Sequence, residues 1–251
     1  PNFENLWDSE FRVFSQWGED GILFFLTDSL KIWRPRMLEV GAGDFLECNS
    51  RYLAQELAGR AVVVDADPQL LRNVVDRPDA WKSTIVPMTR WVTPGNITQL
   101  MDEAAETVGA LDILSMDIDG NDYWVLEAAA LKGLSILVLE YNPLFGSALP
   151  LTVPRNDSFS RYDAHFSSLY YGASLRALVE LAASRDFSFV GTNRVGNNAF
   201  FVSNALVDQL PIPKPDPEDL SKYVDWSIRD SRSEHGGLNL LTGQERLSAI
   251  A

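Results

Sequence analysis

Residues 37–44 read Met-Leu-Glu-Val-Gly-Ala-Gly-Asp. A short, mostly apolar run stops at a glycine-bearing turn, the punctuation of a buried strand that gives way to a helix. The same unit recurs downstream. Asn49 to Ala58 reads as the helix, with Asn49 or Ser50 as its cap, and Ala61-Val62-Val63-Val64-Asp65 is a second strand. Asp67-Pro68 is then placed to open another helix with Pro in its first turn. Thr84 to Pro87 makes a weaker third strand, Asn96 to Val108 a helix, Asp112 to Asp117 a fourth strand, Asp122 to Leu131 a helix and Ile136 to Glu140 a fifth strand. Four of these strands are continuous apolar runs rather than alternating ones. Burial on both faces of a parallel sheet produces that pattern, so the fold class is α/β, a doubly wound and mostly parallel sheet.

Beyond Tyr141 the rhythm breaks. Residues 142–171 carry Pro, Gly and aromatics with no clear period, and a loop of that length inside a compact domain is usually functional. Ser174 to Ser184 returns to helical spacing. Phe187 to Val190 and Asn198 to Val202 read as two last strands, joined through Asn193 to Gly196 as an antiparallel hairpin. Residues 1–210 are thus expected to form one α/β domain. Pro211, Pro213, Pro215 and Pro217 mark a stiff linker, and residues 211–251 are expected to be that linker and a polar appendage, placed to cover the cleft or to join two chains as a homo-oligomer.

The 251 residues include 21 Lys+Arg against 35 Asp+Glu, a net charge of −14 with a pI near 4.5. Such acidity argues against a nucleic-acid partner, whose phosphates are gripped by many Lys and Arg, and against an anionic membrane surface. With 46% hydrophobic and 11% aromatic residues there is material for a large core, which excludes disorder throughout. The single cysteine, Cys48, allows neither an internal disulfide nor a Cys-based zinc site. Apolar stretches such as Ile136 to Leu139 are far short of the ~20 residues of a membrane span. The expectation is a cytoplasmic protein with a small-molecule partner.

In an open α/β sheet, ligands bind beyond the carboxyl ends of the strands. Those ends are acidic here: Glu39 and Asp44 after the first, Asp65 and Asp67 after the second, Asp117 and Asp119 after the fourth, Glu140 after the fifth. A phosphate-bearing cofactor would be repelled by this row. The turn Gly41-Ala42-Gly43-Asp44-Phe45-Leu46 starts like a dinucleotide fingerprint but has Leu46 where the third glycine belongs, which speaks against an NAD-dependent oxidoreductase. A carboxylate at a strand end, such as Asp65, can accept both hydroxyls of a ribose. A cofactor with a ribose and a positive charge but no phosphate meets these demands, and S-adenosylmethionine is such a cofactor.

Glu39-Val40-Gly41-Ala42-Gly43-Asp44 resembles the first motif of the class I methyltransferases, and Val64-Asp65-Ala66-Asp67 resembles their second. Ser15-Gln16-Trp17-Gly18-Glu19-Asp20, Val92-Thr93-Pro94-Gly95-Asn96-Ile97 and Met116-Asp117-Ile118-Asp119-Gly120-Asn121-Asp122-Tyr123-Trp124 resemble the FkbM-like branch. The likeness continues through Glu140-Tyr141-Asn142-Pro143, Tyr171-Gly172-Ala173-Ser174-Leu175, Val190-Gly191-Thr192-Asn193 and Asn198-Ala199-Phe200-Phe201, and so spans residues 14–245. It implies a seven-stranded sheet with the last strand antiparallel, and O-methylation of a hydroxyl, often on a sugar or a natural product, with residues 142–171 shaping the acceptor pocket. Carried over by position, Glu39, Gly41 and Asp44 would line the methionine end, Asp65 would bind the ribose, and Ala66 or Asp67 would flank the adenine between Met88 and Trp91. Ser15, Gln16 and Asp20 would close the site from the N-terminal side. Where many FkbM-like chains have Asp-x-Glu-Gly, this one has Asp117-Ile118-Asp119-Gly120, a second acid shorter by one methylene.

Asp117 and Asp119 share one face if the strand continues through them; if the chain turns, one faces the site while the other caps the next helix. With Glu140 or Asn142 they are candidate ligands for Mg²⁺, which takes oxygen donors and would lower the pKa of a bound substrate hydroxyl. The alternative is that backbone N–H groups and helix N-termini hold these acids. His165, in the long loop, is a candidate base, against its reading as a solvated loop histidine. His235 reads as surface, Tyr123-Trp124 as packed core rather than a substrate platform, and Arg155, Arg161 and Arg194 as sparse loop cations that could meet a substrate carboxylate or phosphate, with surface solvation as the default. Cys48 lies by a helix start, where a thiolate is favoured, although burial as a small apolar residue is the simpler reading. Taken together, the sequence predicts an S-adenosylmethionine-dependent O-methyltransferase in which Glu39, Asp65 and Asp117 hold the cofactor while His165, with Asp119 or Glu140, handles the acceptor. The rival is a non-catalytic module that kept the fold.

Overall fold

A computed structural model describes residues 3–224, 229–232 and 238–241; His235 and the rest of the tail, and so part of the 211–251 appendage, lie outside the described residues. In chain order the elements are α1 (Glu19–Ser29), β1 (Arg36–Val40), α2 (Ser50–Glu56), β2 (Arg60–Asp65), α3 (Arg72–Asp76), β3 (Thr84–Thr89), α4 (Ile97–Val108), β4 (Ile113–Met116), α5 (Asp122–Ala128), β5 (Ile136–Glu140), α6 (Arg161–Ala164), α7 (Leu175–Ser184), β6 (Phe187–Thr192) and β7 (Asn198–Ser203). A separate two-stranded sheet pairs β8 (Arg229–Arg232) with β9 (Leu238–Leu241).

The main sheet has the order β3-β2-β1-β4-β5-β7-β6. Strand β7 runs antiparallel to both of its neighbours, and the other six run parallel to one another. This is a doubly wound, Rossmann-like sheet of seven strands with the last antiparallel, as the resemblance implies. Alternate residues of each strand feed opposite layers. Leu38, Val40, Val62, Val64, Leu114 and Met116 pack with residues of α4, α5 and α7, whereas Met37, Ala61, Val63 and Ile113 pack with residues of α1 and α2. That two-sided burial is why the strand sequences run apolar without alternation. Leu220 and Tyr223 are also buried in the first layer, and Tyr141 Oη donates to the Tyr223 carbonyl. Among the described residues no helix is long and apolar enough to cross a membrane.

Two local expectations change. The helix expected to open at Asp67-Pro68 begins only at Arg72 and is 5 residues long. The reason is local competition: Asp67 N–H donates to Asp65 Oδ1 at 2.9 Å and Gln69 N–H to Asp67 Oδ1 at 2.8 Å, so both aspartates close turns where a helix would have begun. Strand β4 ends at Met116 and Asp119 takes φ 56°, so the chain turns and Asp117 and Asp119 do not share a strand face.

The strand order reverses between β1 and β4, the place where open α/β sheets form their ligand crevice. There Gly41 has φ 85°, and a Cβ on it would lie 1.6 Å from the Asp117 carbonyl oxygen. Gly43 also has positive φ, 54°, but nothing lies within 4 Å of its missing Cβ. Gly41→Ala is therefore expected to cost about 3 kcal/mol or more, from strain and collision together, and Gly43→Ala only about 1 kcal/mol. Urea unfolding of the two variants checks this; equal losses would show that the approach of β1 to β4 does not set the turn.

Candidate functional site

A cleft of about 470 Å³ opens at the carboxyl ends of β1, β2 and β4, within the roughly 300–1,000 Å³ of small-molecule sites. Its floor is Val40 to Gly43. Asp44, Asp65 and Ala66 flank one end, Arg90 to Val92 follow β3, Asp117 to Asp119 follow β4, and Gln16 and Glu19 come from the N-terminal side. Asp157 and Phe159 of the long loop complete the wall. Eight lining residues are acidic and one, Arg90, is basic, and Arg90 is paired to Glu103 at 2.8 Å.

Several of the acids are already committed to backbone. Buried Glu39 accepts from Asn49 N–H at 2.6 Å, from Ser50 N–H at 3.0 Å and from the Ser50 hydroxyl, so it holds the start of α2 while lining the cleft. Burial is nevertheless the larger influence on it and raises its pKa. Asp65 accepts from Gly43 N–H and Asp67 N–H, both at 2.9 Å, which fixes the glycine turn against the end of β2. A carboxylate has about four acceptor sites, so Asp65 can still receive ribose hydroxyls. Gly41 completes the fit, since any side chain there would fill the space between the turn and Asp117.

Several expected residues do not line the cleft, Ser15, Asp67, Glu140 and Asn142 among them, and three more are held elsewhere. Asp20 is fully buried and does not line the cleft; its Oδ2 gathers the N–H groups of Val13 (2.7 Å), Phe14 (2.6 Å) and Ser15 (2.9 Å), so it shapes the loop that presents Gln16. Met88 pairs with Val64 in the β2–β3 ladder and packs against the core, leaving Trp91 as the aromatic wall. His165 also does not line the cleft. Its ring lies 4.3 Å from that of Phe166, and its Nδ1 engages the Ser167 hydroxyl at 2.8 Å. The sequence missed Glu19, which takes Asn193 Nδ2 at 2.6 Å and Asn198 Nδ2 at 2.9 Å and so ties the N-terminal segment to the β6–β7 hairpin.

The long loop is fastened at its neck and along its length. Buried Asn142 donates Nδ2 to the carbonyls of Leu169 (2.8 Å) and Tyr171 (3.0 Å) and accepts from Leu144 N–H. Its amide is thus used by the loop, which removes it as a metal ligand. Trp91 Nε1 donates to the Asp157 carbonyl at 2.7 Å, Trp124 Nε1 to the Val153 carbonyl at 2.8 Å, and Asn121 Nδ2 to the Asn156 carbonyl. Arg161, read from sequence as a solvated cation, is turned inward: its Nη1 pairs with Asp119 Oδ1 and 18% of its side chain is exposed. The only signal in the sequence was charge balance, two arginines in a loop facing a row of acids.

Asp117, Asp119 and Glu140 bring one oxygen each to within 4.8 Å of one another. Burial, then the charges of Asp119 and Asp122, push Asp117 up to about 8. Burial and the charge of Asp117 push Glu140 well up, and its Oε2 has no hydrogen-bond partner. Asp122 is raised to about 6 by burial, while its oxygens accept from Ile118 N–H (2.9 Å) and Gly120 N–H (3.0 Å) and hold the turn. The spacing of the trio suits a divalent ion. In the donor set as it stands, one of the three carboxylates, Asp119, is already paired with Arg161. Cys48 is buried, and burial followed by the charge of Glu39 raises its thiol well above the usual range, which keeps it protonated.

No family model matches this sequence, and no curated protein matches it. Among solved structures, the fibrillarin pre-rRNA processing protein of Methanococcus jannaschii aligns over 68% of this chain and 67% of its own at 13% identity, with a TM-score of 0.45. An O-methyltransferase from Bacillus cereus in complex with SAH aligns over 72% and 79% at 17% identity, TM-score 0.43. An S-adenosylmethionine-dependent methyltransferase from Clostridium acetobutylicum aligns over 72% and 89% at 6% identity, TM-score 0.43. At such identities and scores no residue role carries across.

The acid cluster sets a pH dependence of stability. Asp117 and Asp122 titrate higher in the fold than in the unfolded chain, so the folded state holds their protons more tightly. That contribution is full below about pH 4 and is lost as pH rises through 6 to 8. The melting temperature is expected to fall across that interval, and Asp117→Asn should flatten the fall, each kcal/mol recovered appearing as about 2–4 °C. An unchanged pH profile in Asp117→Asn would show that Asp117 is ionised throughout.

Proposed function

We propose that this chain is an S-adenosylmethionine-dependent O-methyltransferase acting on a hydroxyl of a small polar acceptor, a sugar or natural-product intermediate. The observation that carries the reading is the cleft at the strand-order reversal, with eight acids, one already paired base, and a carboxylate at the end of β2. Phosphate would be repelled there. A cationic, ribose-bearing and phosphate-free cofactor is favoured. S-adenosylmethionine supplies an electrophilic methyl group on a sulfonium.

The residues of the chain divide the remaining work. Asp65 would accept from the ribose hydroxyls, Ala66 and Trp91 would flank the base, and Gln16, Gly41 and Asp44 would border the methionine end. Asp117 is the group best placed to take the acceptor's proton: it lines the cleft, and a base titrating near 8 drives proton transfer better than an ordinary aspartate. His165 has no place in this step, being outside the cleft lining. Trp91, Asp157 and Phe159 would screen the acceptor end from water.

Calorimetry with S-adenosylhomocysteine tests the cofactor assignment. The wild-type chain is expected to bind. Asp65→Ala should lose about 1.5–3 kcal/mol of binding, roughly 10- to 150-fold in affinity, for the loss of hydrogen bonds to a charged acceptor. A wild-type chain that gives no heat at millimolar ligand and no melting shift would end this reading.

A further inference from the structure

Beside the cleft, the acid cluster carries a cation of its own. Arg161, on the short helix α6, sends Nη1 to Asp119 Oδ1 and Nε to the Ser168 carbonyl at 2.8 Å, and its guanidinium carbon sits 3.9 Å from the centroid of the Tyr171 ring. Three different groups therefore fix one side chain. The neighbouring acids feel it as well: its charge acts on both Asp117 and Glu140. Glu140, 8% exposed, has one oxygen, Oε2, without a hydrogen-bond partner, and one of its carboxylate oxygens lies within 4.8 Å of oxygens of Asp117 and Asp119. Close carboxylates with an unmet buried oxygen describe a cation site. A guanidinium can serve it because it is planar, always charged and more weakly hydrated than an ammonium, so a stack on Tyr171 and a bond to Asp119 come at less desolvation cost.

We infer that Arg161 is the resident cation of the Asp117–Asp119–Glu140 cluster, standing where a divalent ion would otherwise sit, and that in doing so it clamps residues 155–171 across the acceptor side of the cleft. It is a positioning residue. The hydrogen bonds from Trp91 to Asp157 and from Asn121 to Asn156 fasten the same segment, and Arg161 adds a charged attachment to the cluster itself. The clamping of an acceptor end rests on the methyltransferase reading; the exclusion of a divalent ion by the arginine does not.

The test titrates Mn²⁺ alone into the full chain near pH 8, followed by electron paramagnetic resonance, with trypsin cleavage after Arg155 as the measure of loop release. Wild type is expected to bind Mn²⁺ weakly or not at all and to resist cleavage. Arg161→Gln should bind Mn²⁺ roughly 10- to 100-fold more tightly, the scale on which groups around a metal site tune affinity, and should be cleaved faster. Arg161→Lys should again exclude Mn²⁺ yet protect the loop less, because an ammonium cannot stack and fork as a guanidinium does. Wild type binding Mn²⁺ as tightly as Arg161→Gln would overturn the inference, as would an Arg161→Gln chain that neither gains Mn²⁺ nor loosens at Arg155. Should Arg161→Gln fail to fold, Asp119→Asn frees the arginine instead and must speed the same cleavage; an unchanged rate is equally fatal. S-adenosylhomocysteine calorimetry on the same samples keeps the two proposals apart. Its failure in wild type removes the cofactor assignment and leaves the Mn²⁺ and cleavage results as they stand.

Discussion

At the point where the strand order reverses, the backbone of Gly41 meets the carbonyl of Asp117 so closely that no side chain fits between them. The approach is held from both sides: Asp117 N–H donates to the Val40 carbonyl at 3.0 Å, and Gly41 N–H to the Val64 carbonyl at 2.8 Å. The end of β1 is thereby locked between β2 and β4, with the glycine turn and the acid turn facing each other across a fixed gap. The two turns that form the centre of the cleft take their positions from this contact. Asp65 is registered to the glycine turn through Gly43 N–H, and Asp122 registers the acid turn through Ile118 and Gly120. A slip of one residue at the reversal would separate the two halves of the site.

The acidity of the cleft is of two kinds, and backbone donors separate them. Asp65 and, behind the cleft wall, Asp20 each accept two or more backbone N–H groups and so fix the turns around them. Glu39 stands between, with three donors against complete burial. Asp117 and Glu140 lie at the other extreme, buried beside one another and beside Asp119 with one cation among them, so burial and like charge both push their titration upward. A carboxyl that gains and loses a proton near neutrality is what acid–base chemistry asks for. The net charge of −14 is thus partly scaffolding, partly chemistry, and for the rest a solvated surface.

The sheet was legible in the sequence because two-sided burial writes itself as continuous apolar runs, and β1, β2 and β5 fall where Met37–Val40, Ala61–Asp65 and Ile136–Glu140 announced them. The hairpin of β6 and β7 was legible too, and the family likeness implied an antiparallel last strand, but no local pattern announced that β7 inserts between β5 and β6. Local side-chain competition was harder to read. Asp67 was taken as a helix start, yet the hydrogen bonds of Asp65 and Asp67 to nearby N–H groups spend the same backbone on turns. Cleft-lining positions were legible where the strand ends dictated them, as at Asp65 and Asp117. They were illegible at Met88, where β3 runs on through Thr89, and where loop packing decides, as at His165 and Arg161, since nothing in a loop's sequence says which side chains the neck at Asn142 will turn inward.

Arg161 shows why such a residue matters once it is found. An ion pair with one half-exposed partner contributes little net stability, because water screens the attraction and ordering the side chains offsets part of it. An apolar residue stacked on Tyr171 would fasten the loop at least as well. What an apolar residue would not do is balance Asp119 and the two partly protonated acids behind it. Without a cation, the rising charge of Asp117 and Glu140 on deprotonation would drive the segment that bears α6 to admit water or a metal ion. The arginine therefore couples two properties that the fold could have kept separate, the protonation of the Asp117–Glu140 pair and the placement of residues 155–171. A loop built this way closes over chemistry whose charge it already balances.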